Sequence, residues 1–234
     1  MPIPLVLASA SPARLATLRS AGIEPTVIVA DVDEDGLLDN ARDLFAEHRM
    51  VGLSPRLTLR DQPFIVASAK AEWVREHHDP DALILGCDSM LEFNDELYGK
   101  PATPEAARER WRQIRGQEAT LHTAHALIDN RNDARESDAV RVGDTSSTIV
   151  HFADLTDVEV DAYVATGEPL NVAGGFTIDG RGGPFIERIE GDHHGVVGLS
   201  LPLLRHLLAR LGLDITDLWL EPPLFVASRQ PTGA

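Results

Sequence analysis

Leu5-Val6-Leu7-Ala8-Ser9-Ala10-Ser11-Pro12-Ala13-Arg14 is the stretch on which the fold turns. Leu5 to Leu7 is a short apolar run suited to a buried strand, and Ser11-Pro12 is a helix start, with serine as N-cap and proline at the first helical position. The helix is expected to pass through Ala16, Leu18 and Ala21 to a glycine cap at Gly22. A strand therefore ends where a helix begins. Such a junction gathers unpaired backbone N–H groups at the positive end of the helix dipole, where an anion is welcome. Ser9 and Ser11 add hydroxyl donors, and Arg14 stands in the first turn, where a cation is disfavoured unless something negative lies in front of it. That placement points to a phosphate; the alternative is an ordinary capped helix with a solvated arginine.

The chain has 234 residues, enough for a real core in one domain or two closely packed lobes. Its 43% hydrophobic and 25% charged residues give the balance of a soluble globular protein. No basic segment followed by an apolar core opens the sequence and no window is long enough to cross a bilayer, so a cytoplasmic protein is expected. The one cysteine, Cys87, cannot form an intrachain disulfide. A formal net charge of −16 argues against nucleic-acid polymers and anionic membranes as partners, so local groups must hold any phosphate ligand.

Outward from the first junction, Thr26 to Val29 reads as a strand running into Asp31, Asp33, Glu34 and Asp35, which could hold a divalent metal through one or two carboxylates or form a solvated loop. Asp39 to Arg60 is weakly patterned helix and loop. Phe64 to about His77 is a helix with Phe64, Ala67, Ala71 and Val74 on one stripe; Lys70 at its edge either snorkels to solvent or leans over a site at the sheet edge. Ala82 to Gly86 is a buried strand followed at once by Cys87-Asp88-Ser89. Ligands of open α/β sheets bind beyond the carboxyl ends of strands, which makes Asp88 a candidate metal ligand or base; the other reading is a turn aspartate. Met90–Phe93 and Glu96–Tyr98 form a hairpin around Asn94-Asp95 and deliver Gly99-Lys100-Pro101 on a constrained loop.

A helix starts at Thr103-Pro104-Glu105 and ends at Gly116, and strands fill Ala119 to Phe152 around a polar turn from Asn130 to Asp138. Thr156 to Glu159 is a capping box opening a helix that closes near Gly167. A glycine-rich stretch follows to Gly183, then a strand at Phe185–Ile189 and an apolar-faced helix from Leu201 to Leu211. His193-His194 is not taken as a metal site, because adjacent side chains diverge and no ligand spacing follows. An irregular tail is expected from Glu221 to Ala234.

Seven of these pieces, in order, resemble the Maf proteins: Leu7 to Arg14, Ala67-Ser68-Ala69-Lys70-Ala71, Gly86-Cys87-Asp88-Ser89, Gly99-Lys100-Pro101, Thr166-Gly167-Glu168-Pro169, Ala173-Gly174-Gly175-Phe176 and Val197-Gly198-Leu199. The resemblance covers about Ile3 to Leu208. It implies an α/β fold of the inosine triphosphatase (Maf/HAM1) type, a mixed central sheet flanked by helices. Residues 1–220 would form one domain of two lobes with a cleft between them. It implies a metal-dependent nucleoside triphosphate pyrophosphatase, cytoplasmic and homodimeric, that hydrolyses ribo- or deoxynucleoside triphosphates, standard or modified, to the monophosphate and pyrophosphate. The family's association with septum formation gives the alternative of a nucleotide-binding regulator of cell division with little turnover.

Carried over residue by residue, the resemblance makes Asp88 the proton acceptor and puts Ser9, Ser11, Arg14, Lys70 and Lys100 on phosphate. Glu34 and Asp88 would hold Mg²⁺ or Mn²⁺. Where the common pattern has two arginines after Ser-Pro, this chain has Ala13 and then Arg14. Pyrimidine-preferring members combine that first arginine with a threonine after the catalytic acid and a glutamine in the glycine-rich segment. Ala13, Ser89 and Asp179 stand at those places, so base preference is open while the catalytic set is intact.

Overall fold

The structure is a computed structural model, and it describes residues 2–50, 58–131 and 139–220, with backbone only for residue 42 and residues 44–50. The opening stretch folds as expected. Strand β1 (Leu5–Ala8) is buried along its length, and helix α1 (Pro12–Ser20) starts at Ser11, whose hydroxyl accepts from the Arg14 amide at 3.4 Å. A strand apolar on every residue needs cover on both faces and a neighbour on each edge. It receives β2 (Thr26–Val27) on one edge, in parallel, and the chain returns through two helices to supply the other. β2 stops at Val27, two residues short of the expected strand, although the Ile28 amide still donates to Leu7.

The acidic run belongs to a helix. Asp33 caps α2 (Glu34–Met50) by accepting from the Gly36 amide at 3.1 Å, and Glu34 and Asp35 fill the first turn, where the dipole favours carboxylates. Helix α3 (Gln62–His78) follows, and then β3 (Leu83–Phe93), which corrects the sequence reading. The expected strand, turn and hairpin arm are one continuous strand of eleven residues, with Asp88 at its middle rather than in a turn beyond its end. β5 (Glu118–Asp129) pairs antiparallel with β3 from Leu83 to Glu92, and this long ladder keeps the polar Cys87-Asp88-Ser89 step extended. The hairpin closes as expected, with Asn94 and Asp95 at φ 53° and 62° leading into β4 (Glu96–Tyr98).

After β4 come α4 (Pro104–Ile114), β5, β6 (Val140–Phe152), α5 (Asp157–Ala165), β7 (Ile186–Glu190), α6 (His193–Val197) and α7 (Leu201–Arg210). The expected turn at Asn130–Asp138 lies mostly outside the described residues, as does the tail from Glu221. The capping box at Thr156 and Glu159 forms as read. The strands make one mixed sheet in the order β2-β1-β3-β5-β6-β7, with β4 also on β3. On one face Leu5, Leu7, Leu85 and Cys87 pack with Leu18 of α1 and Leu204, Leu207 and Leu208 of α7. On the other, Val6, Ile84 and Ala126 pack with Ala67, Ala71 and Val74 of α3. A third core surrounds Trp111, which meets Phe152, Tyr163 and Phe185 edge-on. Among the described residues no helix is long and apolar enough to cross a membrane.

Two contacts fix the layers. A Cβ at Gly86 would run into the Ala67 carbonyl, so only glycine lets α3 lie this close to β3. On the opposite face, fully buried His125 of β5 accepts from the amide of Ser200, the N-cap of α7, at 3.0 Å. Burial, helped by the Arg14 charge, pushes the His125 pKa down to about 3.

Gly86→Ala should therefore cost about 1–3 kcal/mol in denaturant unfolding. His125 makes the fold acid-sensitive in a defined direction. Its unfolded form takes up a proton that the folded form refuses, so the stabilisation is full above about pH 6.5 and is lost as pH falls toward 3. Between about pH 7.5 and pH 5 this group should remove about 2 kcal/mol of unfolding free energy, and His125→Gln should lose that part of the pH dependence.

Candidate active site

β3 has an open edge in its middle. β1 pairs with it only as far as Gly86, and β4 pairs with it only from Leu91 on, so among the described residues nothing but Arg14 meets 87–90 on the edge opposite β5 as a strand would. The side chain of Arg14 enters this gap from the first turn of α1. Its Nη1 donates to the Cys87 carbonyl at 2.8 Å and to the Ser9 hydroxyl at 2.9 Å, its Nη2 to Ser89 Oγ at 3.2 Å, and its Nε to the Gly198 carbonyl at 2.9 Å. Arg14 is 9% exposed, so the solvated-arginine reading is set aside. Every one of these acceptors is neutral, so its charge reaches the surrounding space undiminished by a hydrogen-bonded carboxylate. Burial pushes the neighbouring Cys87 thiol up to about 11 and leaves it an unreactive core side chain.

Side chains alternate along β3, so Ser89 shares the Arg14 face and Asp88 looks the other way, toward α3 and α2. There Lys70 lies 2.9 Å from Asp88 Oδ1 and 2.7 Å from Glu34 Oε1. Lys70 leans over the sheet and does not snorkel; its side chain is 12% exposed. The close seating of α3 on Gly86 sets this geometry, because it lowers the helix that carries Lys70 onto the strand that carries Asp88. Asp88 is 7% exposed. Burial raises its carboxyl above the ordinary carboxylate range, against the pull of Lys70 and Arg14, while Glu34 adds to the rise.

Asp88, Lys70, Glu34, Arg14, Ser9 and Ser89 are thus drawn around one step of one strand. Ser11 contributes the helix cap and donates its amide to Ser9 Oγ at 3.3 Å. Lys100 does not join them; it is exposed and makes no hydrogen bond or ion pair among the described residues. Its loop is nevertheless tethered, since the Gly99 carbonyl accepts from Gly174 N at 3.1 Å and from Arg110 Nη1 at 2.7 Å. Ala13 and Asp179 line a separate cavity of about 270 Å³ beside α1. Sequence reasoning missed Thr123, which bonds Ser89 Oγ at 2.9 Å and the Gly195 carbonyl at 2.7 Å, and gave no role to the Gly198 carbonyl. Neither carries a sequence signal, because a buried threonine in a strand and a glycine after a helix are ordinary scaffold residues.

Glu34 and Asp88 fit a hard divalent cation. Two carboxylates already share one ammonium, and Mg²⁺ or Mn²⁺ characteristically takes one or two protein carboxylates and completes its shell with water and phosphate oxygens. Among the described residues no group of three His, Cys, Asp or Glu side chains comes together, so a cation here would draw its remaining ligands from outside the protein.

The chain is 50% identical over 219 residues to the nucleoside triphosphate pyrophosphatase of Salinispora tropica, covering 94% of this chain and 88% of that protein. It is 50% identical over 218 residues to that of Leifsonia xyli, covering 92% and 96%. The Staphylococcus aureus Ham1 protein shares 12% identity over 64% of this chain and 72% of its own at a TM-score of 0.34, a likeness too weak to carry a point of fold or function. The family model described as Maf-like protein matches residues 4–211, which include every side chain placed in the site, and the chain belongs to that family.

Proposed function

We propose that this protein hydrolyses nucleoside triphosphates to nucleoside monophosphate and pyrophosphate, with Asp88 as general base. The observation that carries the reading is the buried Asp88 carboxylate, held at the open edge of β3 between Lys70 and the uncompensated charge of Arg14. The names of its relatives agree with this activity.

The triphosphate lies along the N-terminal turn of α1. The amides of that turn, the hydroxyls of Ser9 and Ser11 and the positive charges of Arg14, Lys70 and Lys100 bind and neutralise its oxygens. Asp88 accepts a proton from water as the water oxygen bonds to the α-phosphorus. The bond from that phosphorus to the bridging oxygen breaks, and pyrophosphate departs with the electron pair. A carboxyl raised by burial suits this task, because a base works best when its pKa approaches the working pH. Glu34 and Asp88 would hold a divalent cation, Mg²⁺ or Mn²⁺, whose chemistry is to polarise phosphoryl oxygens and neutralise developing charge. Lys70, which lies between these two carboxylates, would share with it the neutralisation of the phosphate oxygens. In an acidic protein this cluster matters, since the distant negative field is screened within about 10 Å at 0.1 M salt. The same reading gives a cytoplasmic enzyme that works as a homodimer.

Asp88→Asn should lower turnover by about 10²–10⁴-fold while the protein remains folded by circular dichroism. Full activity in the folded variant would remove Asp88 from the role. Chelation of divalent cations should stop pyrophosphate release, and added Mg²⁺ or Mn²⁺ should restore it. Tight nucleotide binding by wild type without turnover in either metal would favour the regulatory alternative.

A further inference from the structure

The sheet face that carries Asp88 continues beyond it. Side chains alternate along a strand, and the register sets Met90 opposite His122 and His122 opposite Ser147, so Glu92 of β3, His122 of β5 and Ser147 of β6 stand on that one face. Ser147 Oγ lies 2.8 Å from His122 Nδ1, and His122 Nε2 lies 2.6 Å from Glu92 Oε2. A carboxylate only accepts, so Nε2 carries the proton that it gives to Glu92. The lone pair is then on Nδ1, and the Ser147 hydroxyl donates to it. Both nitrogens are held, which fixes the tautomer and the plane of the imidazole. The His122 side chain is 6% exposed and that of Glu92 30%, whereas Ser147 is exposed. The base is shielded and the hydroxyl is open.

A hydroxyl whose proton faces a base, with that base oriented by a carboxylate, is the arrangement of an activated nucleophile. A cavity of about 240 Å³ opens beside it, with Glu92, Thr120 and Ile149 in its wall; Thr120 and Ile149 stand next to His122 and Ser147 on the same face. The Thr120 hydroxyl has no hydrogen-bond partner among the described residues and is free to donate to a ligand oxygen in the cavity. Asp95 and Glu118 add carboxylates to the lining, and no lysine or arginine stands in it, so an anion is disfavoured there. A network that only tied three strands together would leave an inert hydroxyl, and the reactivity of Ser147 separates the two roles.

We propose that Ser147 is a second nucleophilic site, which cleaves small carboxylic esters that are neutral or cationic. Ser147 Oγ bonds to the carbonyl carbon as its proton passes to His122 Nδ1, and Glu92 stabilises the imidazolium so formed. Thr120 donates to the carbonyl oxygen while that oxygen carries the charge. The bond from the carbon to the ester oxygen then breaks with its electron pair on the oxygen, and His122 returns the proton to the departing alcohol. Water repeats both steps on the acyl-serine, which releases the carboxylic acid and restores the hydroxyl. The site is independent of the pyrophosphatase reading: Asp88, Lys70, Glu34 and Arg14 take no part in it, and a nucleoside triphosphate has the wrong charge for the cavity.

The test uses the full chain with p-nitrophenyl acetate, a neutral ester, and with a fluorophosphonate probe, which marks activated serines. Peptide mass spectrometry should find the probe on Ser147, and release of p-nitrophenol should be lost in Ser147→Ala. The exposed position of Ser147 lets that variant fold, and its pyrophosphate release should equal that of wild type. His122→Gln should slow labelling and ester cleavage by about 10²–10⁴-fold. Because His122 is buried and its variant can fail to fold, wild type unfolded in urea gives a second measurement: labelling should vanish there, since the relay is assembled from three strands. The anionic p-nitrophenyl hemisuccinate should react about tenfold more slowly than the acetate. Absence of probe from Ser147, labelling that persists in the unfolded chain or unchanged in His122→Gln, or ester cleavage that survives Ser147→Ala would overturn the inference. Hemisuccinate cleaved as fast as the acetate would overturn the ester class assigned to the cavity.

Discussion

The gap on one edge of β3 is the constraint from which the rest follows. A central strand must have its backbone groups paired, and for residues 87–90 no strand among the described residues supplies the partner on that side. Arg14 supplies it for the Cys87 carbonyl, and the same guanidinium ties α1, β3 and the end of α6 together. A fixed fork of N–H donors can do this, and a lysine could not hold the same four acceptors in one plane. The charge used to close the gap is then left without a carboxylate partner of its own. Structure and electrostatics are therefore the same feature: the group that completes the sheet is the group that makes its edge attractive to an anion.

The second layer is the opposed pull on Asp88. Burial disfavours its ionised form, and Lys70 and Arg14 favour it, with burial the larger effect. A buried carboxyl set beside charges of both signs is characteristic of groups that exchange protons. Its position depends on a small residue that carries no chemistry: Gly86 lets α3 descend until Lys70 reaches the strand. Glu34 enters through a different device, the Asp33 cap that starts α2 where the loop from β2 ends.

The glycine-rich segment has a comparable economy. Its turns at Gly167, Gly174 and Gly175 require positive φ, and its carbonyls and amides anchor neighbouring parts of the molecule. Trp111 donates to the Gly175 carbonyl at 2.8 Å, Gly174 holds the loop of Lys100, and Glu168 gathers the loop of Asp179. Two separate loops are thereby referred to the same rigid core around Trp111.

Much of this was present in the sequence, for local reasons. The β1–α1 junction, the Ser11 and Thr156 caps, the hairpin at Asn94-Asp95 and the apolar stripes of α3 and α7 are set by neighbours a few residues apart, and each formed. The family motifs likewise marked Asp88, Lys70 and Arg14, which the fold brings to one strand edge. What the sequence could not determine was anything that depends on pairing across long separations. Asp88 reads as a residue beyond the end of its strand until β5, more than thirty positions away, draws residues 87–89 into an extended ladder. For Arg14 the sequence leaves a phosphate partner and a solvated side chain both open, until Gly198, 184 positions distant, is brought to its Nε and buries it. Strand register and helix docking are decided by the whole core at once, and that is why the tertiary structure alone turned a list of polar residues into a charged gap in a sheet.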